Sequence, residues 1–180
     1  MDCVLKPFAN AAWSLELERR VANNKQLIGK INHLIDRCIR TSSNLIIPDV
    51  SSAALILSRK LYINLNAAKE GHKTSMKEYS VSNGQSDYFF YEHKETVKEL
   101  RNKLELCNSK DDVLHVFKAQ QQVWVLNSEN NNLIRNGHNS KRPDSEIAYS
   151  QAGIKIIKNT YTEFNKWHKA NWKIKAKKTK

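Results

Sequence analysis

The chain has 180 residues, with thirty Lys and Arg against eighteen Asp and Glu, and a formal net charge of +12. Five glycines and three prolines are too few for the turns of an all-β fold, and three cysteines are too scattered for a disulfide framework or a zinc ligand set. Residues 151–180 hold nine lysines against Glu163 alone, so +8 sits there and +4 in the other 150 residues; a charged partner is expected at that end.

Met1-Asp2-Cys3-Val4-Leu5-Lys6-Pro7-Phe8 lacks the sustained apolar run of a signal peptide. The run Leu45–Leu57 is broken by Pro48, Asp49, Ser51 and Ser52, too polar to span a bilayer. A soluble, cytoplasmic chain is expected. Cys3, Cys38 and Cys107 are then free thiols. Cys38 and Cys107 fall on apolar stripes, where a buried small hydrophobe is the expected role.

A first helix is predicted from about Ser14. Leu17, Val21, Asn24, Ile28, Ile31, Ile35 and Cys38 recur at spacings of four and three, a heptad seam with one polar position. Leu27 and Leu34 widen that stripe toward a bundle-type contact. Thr41–Asn44 and Pro48-Asp49 read as a loop, after which Ser51 or Ser52 caps a second helix. Its stripe runs through Leu61, Leu65, Ala68, His72, Met76 and Tyr79, weakened by Gly71.

A third helix is predicted over about 86–106, with Phe89, His93, Val97, Leu100, Leu104 and Cys107 on one face. Ser109-Lys110-Asp111-Asp112 is a capping signature that opens a fourth helix, with Val113, Val116, Phe117, Gln120, Val123 and Trp124 inward. Asn136-Gly137 should stop it. After a polar linker, a fifth helix begins at Asp144 or Ser145, with Ile147, Ile154, Ile157, Tyr161, Phe164 and His168 as its stripe. It runs into Lys173–Lys180, a low-complexity end expected to be disordered alone.

These elements predict an all-α fold. It is an elongated antiparallel bundle of four or five amphipathic helices over 1–140, followed by a basic C-terminal helix and tail over 141–180, with self-association into a homo-oligomer.

No Gly-rich phosphate loop and no His pair flanking a Glu at metal spacing is present. The six histidines are scattered. No catalytic residue, metal ligand or cofactor is therefore expected. Arg135-Asn136-Gly137-His138 is similar to the Arg-to-His motif of helical HEPN ribonucleases. Two residues separate the pair here, against four to six in that family, so a turn is the reading adopted.

Two features suit binding. Lys166, Trp167, Lys169, Trp172, Lys173, Lys175, Lys177 and Lys178 combine phosphate-neutralising charge with indoles able to stack on bases. Trp and Lys together also suit an anionic interface. Tyr88-Phe89-Phe90-Tyr91 cannot all meet one core on a helix, because successive side chains lie about 100° apart.

A family resemblance covers part of residues 61–135. Asn66-Ala67-Ala68-Lys69-Glu70-Gly71, Gln85-Ser86-Asp87-Tyr88-Phe89, Leu100 with Leu104, Ser109–Leu114 and Lys118-Ala119-Gln120-Gln121 together resemble the phasin family. The Asn- and Lys-rich composition departs from that family, whose members are rich in Ala, Gln and Glu. The resemblance implies a non-catalytic coat on a hydrophobic polyhydroxyalkanoate granule. Phe89, Phe90, Val97, Leu100, Phe117 and Trp124 are the candidates for the granule-facing side. The alternatives are nucleic-acid binding through the C-terminal lysines and tryptophans, and a helical adaptor that engages a protein partner through the seam of residues 17–38.

Overall fold

The structure, a computed structural model, describes residues 2–46, 48–61, 65, 89–139, 141–142 and 144–158. Seven helices and four strands lie among the described residues: α1 (Asp2–Val21), α2 (Lys25–Ser43), β1 (Asp49–Ser51), α3 (Ser52–Leu61), β2 (Phe89–His93), α4 (Val97–Glu105), α5 (Lys110–Ala119), β3 (Gln122–Leu126), α6 (Asn127–Arg135), α7 (Ser145–Gln151) and β4 (Ile156–Ile157). The chain is mostly helical, but the all-α expectation is corrected by a four-stranded mixed sheet in the order β2-β3-β1-β4.

Contacts divide the chain into two units made of interleaved segments. One unit holds Met1–Ile46, His93–Gln121 and Asn139–Pro143; the other holds Ile47–Glu92, Gln122–His138 and Asp144–Lys180.

The first unit is helical. Its core joins Ala9 and Ala12 of α1, Ile31, Ile35 and Ile39 of α2, Val97, Leu100 and Leu104 of α4, Cys107, and Val113 and Phe117 of α5. The predicted seam of residues 17–38 is not one continuous helix. Ala22, Asn23 and Asn24 interrupt it: the Asn24 side chain accepts from the backbone N–H groups of Gln26 and Leu27 at 2.8 and 3.3 Å, which makes it the N-cap of α2.

The buried face of α1 is Leu5, Ala9, Ala12 and Glu16, at helical spacing. Two alanines and a glutamate carry little hydrophobic signal. Leu17 and Val21, read as seam residues, are 44% and 78% exposed instead. Glu16 is tolerated inside because Arg19 donates to it through Nε and Nη2 at 2.8 and 2.9 Å, and Arg20 through Nε at 3.1 Å. Arg20 also donates to the Cys107 carbonyl at 2.6 Å and lies over the Trp13 ring, which ties the end of α1 to the turn after α4.

Two of the expected longer helices are shorter than the pattern suggested. The third starts only at Val97, where Thr96 and Glu99 form a capping box: the Glu99 N–H donates to Thr96 Oγ1 at 3.2 Å, and the Thr96 N–H to the Glu99 carboxylate at 2.8 Å. The fourth ends at Ala119, and the apolar residues after it form β3. The expected caps at its start are present. Ser109 Oγ accepts from the Asp112 N–H at 3.1 Å, while the Asp112 carboxylate accepts from the Asn108 N–H at 3.0 Å.

The second unit is built on the sheet. β1 runs parallel to β3, with Asp49 opposite Val123 and Val50 opposite Trp124, and antiparallel to β4, with Val50 opposite Ile157. Side chains alternate between the faces. Val50, Phe89 and Trp124 pack with Ala54 and Leu61 of α3 and with Leu65. Val123 and Val125 pack with Leu133 of α6, with Ala148, Tyr149 and Ala152, and with Ile154. The aromatic run is resolved the same way: Phe89 joins the first cluster and Phe90 packs against the second. β-branched and aromatic residues suit such a doubly covered strand.

Helices α6 and α7 end alike. Gly137 has φ +79° and Gly153 φ +71°. The His138 N–H donates to the Leu133 carbonyl at 2.9 Å, and the Ile154 N–H to the Tyr149 carbonyl at 2.8 Å. Both are Schellman closures with glycine in the left-handed position. A helix does stop at Asn136-Gly137, but it is α6 and not the helix opened at Ser109, which the sequence pattern carried through to this point. The fifth helix, expected to run through Ile154 and Ile157, stops at Gln151, and Ile156–Ile157 is strand.

Candidate nucleic-acid interface

The basic C-terminal region begins within the described residues. Gly153 turns the chain out of α7 and into β4, which lies at one edge of the described sheet order. The Ser52 N–H donates to the Lys155 carbonyl at 2.8 Å, so the backbone here is pinned to the start of α3. Lys155 and Lys158 flank β4, and both are exposed. The sequence continues from Lys158 to Lys166, Trp167, Lys169, Trp172, Lys173, Lys175, Lys177 and Lys178, which lie outside the described residues.

The six candidates for an apolar binding face are not brought together. Phe89 and Trp124 are buried in one cluster of the sheet unit, and Phe90 is half-buried against the other. Val97, Leu100 and Phe117 are buried in the core of the helical unit. Five of the six are at most 8% exposed, so their apolar surface is already spent on the chain's own cores. Asn66–Gly71 and Gln85–Tyr88, which carry much of the phasin resemblance, lie outside the described residues, as do Tyr161, Phe164 and His168.

Among the described residues no group of three or more His, Cys, Asp or Glu is placed to hold a metal ion. Arg135 and His138 belong to the closure of α6, and His138 Nε2 lies 2.8 Å from Gln151 Oε1. Cys38 and Cys107 both border or join the helical core, and burial pushes both thiols up, which makes them poorer nucleophiles. Burial also pushes the Tyr91 hydroxyl up; its ring meets Trp124 edge-on at 4.9 Å.

Two polar features of the sheet unit were not legible from the sequence. Ser51 Oγ donates to the Glu129 carboxylate at 2.6 Å across 78 residues of chain. In the same unit, both amide atoms of Gln122 and Nε1 of Trp124 are buried without a hydrogen-bond partner among the described residues. Gln122 and Trp124 share one face of β3 by strand alternation. No local spacing signals either feature, because each depends on tertiary neighbours.

No helix among the described residues is long and apolar enough to cross a membrane. Comparisons with protein-family models, curated proteins and solved structures gave no match.

Proposed function

We propose that this chain is a non-catalytic nucleic-acid-binding protein that engages the phosphate backbone through its C-terminal lysines, with Trp167 and Trp172 stacking on exposed bases. The observation that carries this reading is the +8 charge of residues 151–180, which starts at the exposed Lys155 and Lys158. Lysines neutralise phosphates and release counterions, so the affinity comes without any sequence-reading element.

The phasin-like granule coat is the competing reading. It would need Phe89, Val97, Leu100, Phe117 and Trp124 at a surface, and their burial weakens it. A helical adaptor built on residues 17–38 is weakened by the break at Asn24.

One experiment separates the readings. The full chain is tested for co-sedimentation with polyhydroxybutyrate particles and for binding to duplex and single-stranded DNA, at low salt and at about 1 M salt. The proposal expects DNA binding whose log–log salt slope is roughly −0.9 per phosphate neutralised, so roughly −5 for six lysines on duplex. Deleting residues 166–180 should remove most of that slope. Retention on particles at both salts, with no DNA binding, would overturn it in favour of the granule coat.

A further inference from the structure

Helix α2 has two opposed faces. Ile31, Ile35, Ile39 and Ser42 are buried. On the opposite side, at 100° per residue, Gln26, Lys30, His33, Arg37 and Arg40 fall within an arc of about 80°. All five are exposed. No apolar side chain falls inside that arc.

The charge of this face is not offset locally. Asp36 is the one acid on α2, and Arg101 Nη1 holds its two oxygens at 2.7 and 2.8 Å. Among the described residues no ion pair engages Lys30, Arg37 or Arg40. The helix is 19 residues long and its N-terminus is fixed by the Asn24 cap, so the face is presented on a rigid element.

Resting on the nucleic-acid reading, we infer that the exposed face of α2 is a second contact region, which lies along the backbone of a nucleic-acid duplex through Lys30, Arg37 and Arg40. From Lys30 to Arg40 the helix rises about 15 Å, the axial span of about four phosphates on one strand. A major groove about 12 Å wide admits a helix of this kind. Arg37 and Arg40 supply forked donors suited to phosphate oxygens, and Lys30 a point charge. A protein partner would call for an aromatic or aliphatic anchor at the centre of the face, and this arc has none.

The test uses the full chain and a 20-base-pair duplex as probe, longer than the roughly 28 Å that α2 can span. Binding is followed by fluorescence anisotropy across a salt series. Three variants are compared with wild type: Lys30→Gln/Arg37→Gln/Arg40→Gln, the charge-retaining Lys30→Arg/Arg37→Lys/Arg40→Lys, and the equal-charge control Lys6→Gln/Lys98→Gln/Lys110→Gln, whose residues are exposed on α1, α4 and α5. A fourth lacks residues 166–180. The neutralised α2 variant should shallow the log–log slope by roughly 2–3 and weaken low-salt binding at least about tenfold, while the charge-retaining variant keeps the wild-type slope. The control should shift the slope by less than about one.

An α2 variant that behaves like the control, with binding still lost on deleting 166–180, overturns the α2 contact and leaves the C-terminal reading standing. No wild-type binding to duplex or single strand removes both. Binding to phosphatidylserine vesicles in place of duplex overturns the inference in favour of a lipid surface.

Discussion

Ser51 Oγ and the Glu129 carboxylate, 2.6 Å apart, fasten the starts of two helices to each other. Ser51 Oγ also accepts from the Ala54 N–H at 3.0 Å, which caps α3, and the Glu129 carboxylate accepts from the Leu126 N–H at 2.8 Å, which closes the first turn of α6. Ser51 is fully buried. Ser51→Ala removes a cap and leaves a carboxylate short of a donor, so it should cost about 1–3 kcal/mol in urea unfolding. Paired with Glu129→Gln in a double-mutant cycle, the coupling should exceed about 0.5 kcal/mol; additive effects would mean the contact carries no energy.

Glu16 gives a pH signature. Burial opposes its charge, and hydrogen bonds from Arg19 and Arg20 outweigh that, so its carboxyl sits below the ordinary value of 4.5. A lowered folded-state pKa means the unfolded chain binds more protons at acid pH. The stabilisation is therefore full above pH 4.5 and fades as pH falls through the folded value. Glu16→Gln should lower stability at pH 7 and flatten its dependence on pH below 4.5. Chemical denaturation at pH 7 and at successively lower pH checks both parts, and an unchanged acid slope would refute the assignment.

The glycines separate backbone strain from space. An added Cβ meets nothing within 4 Å at Gly29, Gly137 or Gly153. Of these three, Gly137 and Gly153 have positive φ and Gly29 does not. Gly137→Ala and Gly153→Ala should each cost about 1–2 kcal/mol through conformation alone. Gly29→Ala, inside α2, should stabilise by about 0.5–1 kcal/mol. Thermal unfolding of the three variants should show opposite signs.

Gln122 offers a stabilising change. It is 1% exposed, and neither amide atom has a partner among the described residues. Replacing such a group by an apolar one of similar shape removes a desolvation cost of about 1–3 kcal/mol. Gln122→Met should raise the urea midpoint with the slope unchanged. A lowered midpoint would show that the amide has a partner in solution.

How much of this was legible in the sequence follows from the range of each signal. The caps at Ser51 and Ser109 and the stop at Asn136-Gly137 are set by three or four neighbouring residues, and each is where the residue types put it. Thr96-Val97-Lys98-Glu99 carries an equally local capping box, which rules out one unbroken helix over 86–106; the apolar stripe across it hid that signal. The strands were hidden for a different reason. Phe89–His93 and Gln122–Leu126 are short apolar runs whose spacing fits a buried helix as well as a strand covered on both faces. What decides them is a partner far along the chain, and sequence patterning does not contain it. The basic charge of the C-terminal region was plain from composition; the opposed faces of α2 were masked by reading Asn24 as part of a continuous seam instead of as a cap.

The pairing of β1 with β3 also bears on how the chain is made. Val50 faces Trp124 on one side and Ile157 on the other. During synthesis, about 74 residues must follow Val50 before its first partner exists, roughly 4–15 s at ribosomal speed. Until then the backbone N–H and C=O groups of β1 lack their ladder partners, and Val50, its one apolar residue, lacks the neighbours that cover it. Any shortened form that ends before Gln122 leaves β1 without either neighbour, whereas a cut after Lys158 leaves every described strand in place.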